Sequence, residues 1–387
     1  MPHPLNDTQR AMRQVIRDFC RNEVMPGAAE RDRTGKFPAD IMRGLGELGA
    51  MGITVPESCG GLGLDTQTQL LTIEEVARAD AALASIYTAH LLALEVLVPY
   101  LGEEQRRRFI PEMASGKALG AFALTEPGSG SDIGGMETVA RRDGDSWVVS
   151  GSKTFISNAA DADVTVLFAK TDAAAGFRGI SAFVLSRGTP GVSFSEPQDK
   201  LGIRSAPTHT VYLDGARITD DRVIGELGTG GRMALSALNR ARIDIAAMAN
   251  GIARRALELT VAYAAARVQF GHPIRDFQAI QLMLGEMDAQ LEAARLTAWW
   301  AAAEKDSGAD LRRAGSIAKW VATEACGAIV DRAVQVHGGA GYMRESEIER
   351  LYRDARILRI FEGTSQIQLI GIAATLASAF DRHGEVV

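Results

Sequence analysis

Five segments of the chain carry residue types that could do chemistry. In Ile360-Phe361-Glu362-Gly363-Thr364 a single carboxylate follows two large apolar residues and precedes a glycine. A carboxylate among apolar neighbours is pushed towards neutrality, the property a general base needs. Alone, the same glutamate reads as a helix cap or a surface residue. In Ala121-Phe-Ala-Leu-Thr-Glu-Pro-Gly-Ser-Gly-Ser-Asp132, Gly128 and Gly130 free the backbone while Thr125, Ser129 and Ser131 add hydroxyls. Such a turn suits a polar ring edge or a phosphate, and equally a plain surface turn. Gly151 to Asn158 sets Phe155 among short polar residues. Arg267 to Ile274, with Gln278 and Gln281 soon after, puts an arginine at a helix end where it could meet a phosphate. Gln335-Val-His-Gly-Gly-Ala-Gly-Tyr342 is a glycine-rich break after a helix. It is no GxGxxG fingerprint and follows no strand, so the dinucleotide reading fails. His337 has no second ligand at metal spacing, and no metal is expected.

The elements that must position these residues fall into three zones. Residues 1–119 read as a helical domain: Asn6 or Asp7 caps a first helix with Met12, Ile16 and Phe19 on one stripe, and Val55 to Leu64 is a Gly/Pro-rich loop. Alanine-rich helices follow over Leu71 to Ala84 and Leu91 to Leu101. Residues 120–231 change to period two. Runs at 147–150, 164–169, 180–185 and 210–213 predict a small antiparallel barrel or sandwich. Residues 232–387 return to period 3.6. Stripes through Leu238 to Tyr263, Ile280 to Ala298 and Ile317 to Val336 predict long helices in a C-terminal four-helix bundle. The helix from Met233 to Arg267 alone spans ~50 Å at 1.5 Å per residue. The fold class is α+β, multidomain.

Composition narrows the function. With 387 residues, 46% hydrophobic and 23% charged, the chain has ordinary globular composition and room for two or three domains. Its net charge of −6 and pI near 5.7 argue against nucleic acid, which demands a basic stripe. Cys20, Cys59 and Cys326 lie too far apart for a disulfide framework or a cysteine metal cluster. No window approaches 18 consecutive apolar residues, so no membrane span is expected. The early mixture of Asp7, Arg10, Arg13, Arg17 and Asp18 matches neither a secretory nor a transit leader, and the expected location is the cytoplasm.

In order and spacing the five segments resemble the acyl-CoA dehydrogenases, over essentially the whole chain. Ala123 to Gly135 is similar to that family's first signature throughout. The second is matched by Gln335, Gly338, Gly339, Gly341, Tyr342, Glu345, Arg350 and Asp354. The resemblance implies FAD extended between the β domain and the bundle, and Glu362 as the catalytic base. Phe122, Leu124, Thr125 and Ser131 would hold the flavin ring edge, Ser131 also meeting the thioester tail. Phe155, Ile156 and Ser157 would flank the ring. Arg267, Phe270 and Gln278 would contact the pyrophosphate and adenine side; Gln335, Val336, Gly338 and Gly339 would do so from a partner subunit. Thr364 and Gln366 would complete the cradle, with Asn239, Arg242 and Gly363 on the substrate. Many members carry Trp at the position of Phe155, Asp at that of Asn239 and Arg at that of Leu369. Some branches place the base where this chain has Ala241.

The implied reaction removes the α proton of a saturated acyl-CoA and passes the β hydride to the flavin, giving the trans-2-enoyl thioester. It also implies an electron-transferring flavoprotein as acceptor and a homotetramer. Alternatives on the same fold are a carrier-protein thioester as substrate, or a flavin oxidase or monooxygenase. Tyr87 and His90 are bulky in the segment expected to line the acyl tail, and no arginine stands there to meet a distal carboxylate. A short or branched acyl group of roughly four to six carbons is expected, since burying an unpaired carboxylate costs several kcal/mol.

Overall fold

A computed structural model describes residues 4–384. The chain enters its first helix through a reciprocal cap: Gln9 N–H donates to Asn6 Oδ1 at 2.8 Å, and Asn6 N–H to Gln9 Oε1 at 3.1 Å. The N-terminal region contains α1 (Asp7–Phe19), α2 (Ala28–Thr34), α3 (Ala39–Glu47), α4 (Thr66–Ala79), α5 (Ala81–Tyr100) and α6 (Glu103–Ala114). The alanine-rich run expected as one helix over 71–84 is broken at Asp80. Its backbone is extended, and its side chain accepts the N–H groups of Ala82 and Leu83. A cap that satisfies exposed amides outweighs the propensity of the surrounding alanines. By length and composition α5 could cross a membrane, yet 83% of that apolar window is buried inside the protein. It is a core helix, packed against α4 and the β domain.

The middle region holds β1 (Gly120–Ala123), β2 (Val139–Asp143), β3 (Ser146–Ser157), β4 (Val164–Lys170), β5 (Ile180–Ser186), β6 (Val192–Phe194), β7 (Thr208–Thr219) and β8 (Val223–Ile224). They form one sheet in the order β6-β7-β3-β2-β4-β5-β8, with β1 joined to β4. The sheet is mixed rather than wholly antiparallel. β1 runs parallel to β4, and β2 meets β4 in parallel at Val139 and Lys170. The β2–β3 hairpin acts as a crossover, so β4 returns in the direction of β1. Trp147, Val149, Phe183, Leu213 and Ile218 fill the core beneath it.

The C-terminal region is built on α7 (Gly230–Ala266), whose 37 residues run ~55 Å. A short hairpin, β9 (Val268–Gln269) with β10 (His272–Pro273), turns the chain into α8 (Gln278–Asp306) and then α9 (Leu311–His337). α10 (Glu347–Ala355) and α11 (Ser365–His383) complete the bundle. Buried alanines such as Ala246, Ala249, Ala253 and Ala256 let the long helices approach closely, and α7 also packs on α4 and α5. Glu75 of α4 accepts Arg13 and Arg17 from α1 and Arg254 from α7, which ties the helical region to the bundle.

Candidate active site

The segment between α10 and α11 carries Glu362. Both Glu362 (φ 54°) and Gly363 (φ 88°) adopt left-handed backbone, which costs a non-glycine residue about 1–2 kcal/mol. Buried side chains hold this shape. Lys319 of α9 donates Nζ to the Gly363 carbonyl at 2.7 Å, and Gln368 donates Nε2 to the same carbonyl at 2.9 Å and to that of Glu362 at 3.2 Å. A Cβ on residue 363 would approach Gln368 Nε2 to 2.7 Å, so a side chain there would have to displace the Gln368 amide that holds the loop, besides adopting an unfavourable φ. Thr364 then caps α11 by accepting the Ile367 N–H.

This clamp turns the Glu362 side chain into a narrow cleft of about 30 Å³. Its walls are Ser85, Thr88, Ala89 and Leu92 of α5, Ala241 and Ile245 of α7, Ser157 of β3, and Phe361. Oε2 of Glu362 is buried and has no hydrogen-bond partner among the described residues. Burial pushes the carboxyl up to about 7; the charges of Lys319 and Arg242 pull it down, and Asp244 pushes it further up. Ala241 does line the cleft, so the other position considered for a base faces the same space without a carboxylate. Tyr87 and His90 do not shape the cleft. Tyr87 is fully buried with its hydroxyl donating to Ala50 O at 2.6 Å, and His90 lies between Met51 O and Gly120 N–H. Thr88, Leu92, Ile245 and Phe361 close the space instead.

Beside the cleft, β3 bulges between Lys153 and Ile156. Phe155 sits on that bulge with φ 58° and 67% exposure, a strained aromatic held out from the sheet. The first glycine-serine segment is pinned alongside. Thr154 N–H donates to Thr125 O at 2.8 Å, and buried Lys153 donates to Glu126 Oε1 at 2.6 Å and Leu124 O at 3.2 Å. Phe122 is half-buried against Phe168. Leu124 and Ile156 turn their side chains into the two cores, leaving only backbone groups for a ligand. Ser131 is exposed, as is Gln366 on the first turn of α11. Arg242 sits beside the Glu362 loop, its guanidinium donating to Asn239 Oδ1 at 2.6 Å and Ser316 Oγ at 3.0 Å.

The other expected residues gather elsewhere. Arg267, Phe270 and Gln278 are exposed at the far end of α7, with Phe270 left-handed (φ 52°) and 91% exposed. Gln335, Gly338 and Gly339 are exposed beside them, whereas Val336 is buried against Ala264 and Ile274. Tyr263 stacks on His337 at 4.3 Å and donates to its carbonyl at 3.3 Å. The two groups are therefore neighbours in one chain: helix packing delivers both together. From Lys319, beside the Glu362 loop, to His337 is ~27 Å along α9, and from Ala241 to Arg267 is ~39 Å along α7. No group of three or more possible metal ligands occurs among the described residues, at His337 or elsewhere.

Models of the acyl-CoA dehydrogenase N-terminal, middle and C-terminal domains match residues 6–117, 121–216 and 228–377. The chain belongs to the acyl-CoA dehydrogenase family. The mitochondrial short-chain specific acyl-CoA dehydrogenase of Bos taurus is 42% identical over 97% of this chain and 92% of its own. The butyryl-CoA dehydrogenase structure of Megasphaera elsdenii superposes with a TM-score of 0.95 at 36% identity, covering 97% of this chain and all of that one. An acyl-CoA dehydrogenase of Bacillus anthracis, solved in complex with FAD, superposes at 0.93 with 34% identity, covering all of this chain and 69% of that one. This acyl-CoA dehydrogenase is accordingly an FAD-dependent oxidoreductase.

The residues present fit that cofactor. Two exposed aromatics, Phe155 and Phe270, are each held in left-handed backbone, Phe270 meeting only the edge of Phe277, and no atom lies within 4 Å of where a Cβ on Gly338 or Gly339 would stand. Lys319, Gln368 and Asp244 escaped the sequence reading. Each is a polar residue on an apolar helix face, for example Asp244 between Ile243 and Ile245, and that pattern was the available signal.

Proposed function

We propose that the enzyme removes the elements of hydrogen from Cα and Cβ of a short saturated acyl-CoA, with Glu362 as the base. The partnerless, buried Oε2 of Glu362 in an otherwise uncharged cleft carries this reading. A carboxylate whose proton affinity lies near neutrality can take the weakly acidic α proton and later release it. The N–H of Glu362 donates to no acceptor among the described residues, so it is free to bond the thioester carbonyl. Such a donor stabilises enolate-like charge and is worth ~10²–10³ in rate. FAD supplies the hydride acceptor for Cβ when bound, with Phe155 and Ser157 beside it and the backbone of 124–126 at its ring edge. Asn239, Arg242 and Gly363 cluster behind the thioester position, on the side where the CoA portion would leave the cleft.

The closed walls formed by Thr88, Leu92, Ile245 and Phe361 favour a short or branched tail, and no lysine or arginine lines the cleft to receive a distal carboxylate. An electron-transferring flavoprotein is the proposed acceptor. The distance from base to the Arg267 and Gln335 groups supports a cofactor site completed by a second chain. We propose a homotetramer in which both groups serve the neighbour's FAD, its contacts including exposed Phe270 and Tyr342 (84% exposed). Three free cysteines accord with the reducing cytoplasm.

Anaerobic mixing of the FAD-loaded enzyme with butyryl-CoA tests the central claim. Wild type should bleach its flavin rapidly, and Glu362→Gln should bind the thioester yet bleach at least ~10³-fold more slowly. Turnover of the variant within tenfold of wild type would sink the assignment.

A further inference from the structure

The loop that carries Glu362 is held at its apex by Lys319 and Gln368, and its two feet rest on one further side chain of α9. Arg359 stands three residues before Glu362, and Ser365 three residues after it. The Ser365 hydroxyl donates to Oε1 of Glu324 at 2.6 Å, and Nη1 of Arg359 lies 3.5 Å from Oε2 of the same carboxylate. One glutamate thus spans the loop, with an oxygen for each foot.

The helix is shaped to receive Arg359. Gly327, one turn after Glu324, is buried in the interior of α9, where glycine is a poor helix former. A Cβ there would stand 1.5 Å from Nη2 of Arg359 and 2.3 Å from its Cζ, so the guanidinium lies in the notch that the missing side chain leaves. Nε of Arg359 is buried with no hydrogen-bond partner among the described residues. A guanidinium that leaves a buried N–H unpaired is held in place by its other contacts, here the notch and Glu324.

We infer that Glu324 is a positioning residue for the base: by tying Arg359 and Ser365 to one point on α9, it fixes the span of residues 359–365 and enforces the left-handed turn at Glu362 and Gly363. The inference rests on the reading of Glu362 as the base. The left-handed backbone of Glu362 is unfavourable for a residue with a side chain. The Lys319 and Gln368 bonds reach only the carbonyls of residues 362 and 363, at the apex. With a foot released, the loop can lengthen, Glu362 can return to right-handed backbone, and its carboxyl leaves the closed cleft for wetter surroundings. The charges that face it, Lys319 from α9 with Arg242 and Asp244 from α7, are unchanged by that release. What is lost is burial, so the proton affinity of the carboxyl falls.

The test uses FAD-loaded wild type, Ser365→Ala, Arg359→Met and the double variant, all of which keep the Glu324 charge that acts on Lys319. Three readouts are taken: anaerobic bleaching by butyryl-CoA per bound flavin, Kd for the unreactive butyl-CoA thioether, and the pH profile of kcat/KM. Each single variant should bleach about tenfold more slowly and the double about 10²-fold, with thioether Kd within about threefold of wild type. The acid limb should move to lower pH from its wild-type position near 7, opposite to the effect of removing the Lys319 charge. Gly327→Ala, which evicts Arg359 without deleting it, should behave as Arg359→Met does. Wild-type rates and limbs in Ser365→Ala and Arg359→Met would overturn the bracket, as would a lower Tm or flavin content with an unchanged rate per bound flavin. Should Arg359→Met fail to fold, Ser365→Ala decides alone from the other foot. If Glu362→Gln bleaches like wild type, the base reading and the bracket fall together; slow bleaching there beside unaffected foot variants removes the bracket alone.

Discussion

Two glutamates near the cleft have buried carboxylate oxygens, and their surroundings make them opposites. Glu126 accepts the Lys153 ammonium at 2.6 Å and the N–H groups of Glu137 and Thr138 at 2.6 and 3.1 Å. Burial alone would raise its carboxyl, but Lys153 and these bonds hold it below the usual range. Glu362 also has a lysine nearby, yet Lys319 spends its hydrogen bond on the Gly363 carbonyl, and Oε2 is left without a partner. Burial therefore prevails and the carboxyl rises to about 7. Satisfying a buried carboxylate makes it structural; aiming a nearby cation at the backbone leaves it reactive.

The largest expected effects separate these roles. Glu362→Gln should lose at least ~10³ in the rate of flavin reduction with no fall in Tm, whereas Lys153→Met should strand the Glu126 charge and cost about 3–5 kcal/mol in stability. Thermal melts of the two flavin-loaded variants, run beside the bleaching assay, check both; a Lys153→Met protein as stable as wild type breaks the contrast.

A shift in pH profile comes next. Activity needs Glu362 ionised, so kcat/KM should fall about tenfold per pH unit below the base's pKa, near 7. Lys319 lowers that pKa, so Lys319→Met should move the acid limb to higher pH, and Lys319→Arg should restore part of it. An unmoved limb would show that Lys319 serves the loop's shape alone.

Stability should carry the same signature with a smaller amplitude. Because the folded pKa of Glu362 is raised, the native state holds a proton between about pH 4.5 and 7 that the unfolded chain has released. Wild type should thus lose stability relative to Glu362→Gln as pH rises through that window, and the gap should stay constant above it. Urea melts at pH 5 and pH 8 measure the change, and a gap independent of pH contradicts the raised pKa.

The smallest effect concerns Phe155. Phe155→Gly relieves the left-handed backbone, so the flavin-free protein should gain roughly 1 kcal/mol, while titration with FAD should show weaker binding. A variant that binds FAD as tightly as wild type would leave the exposed aromatic without a purpose.

Much was legible in the sequence because it rests on local rules. The period change near residues 120 and 230 marks where helices give way to strands and return, and apolar stripes placed α7, α8 and α9, though they fell short of the last turns of α8 and the first turns of α9. Glu362 stood out through its apolar neighbours and the following glycine. What composition and spacing could not supply was direction in space. Tyr87 and His90 lie in the segment expected to line the acyl tail but turn away from the cleft, because α5 is buried on nearly every face and its sequence shows no preferred side. The Arg267 and Gln335 groups are 68 residues apart, counted between those two positions, and only the packing of Tyr263 on His337 makes them one surface.

By itself the sequence determined the family and the three-part order of elements, and singled out Glu362 as the candidate base, since motif chemistry and hydrophobic period are written along the chain. Only the tertiary structure decided that Glu362 keeps an oxygen free, that Lys319 and Gln368 clamp its loop, and that Gln69 of α4 reaches Asp244 of α7. Those facts depend on contacts between α4, α7, α9 and the loop before α11. The proton affinity of a buried carboxylate is set by which of those distant side chains reach it.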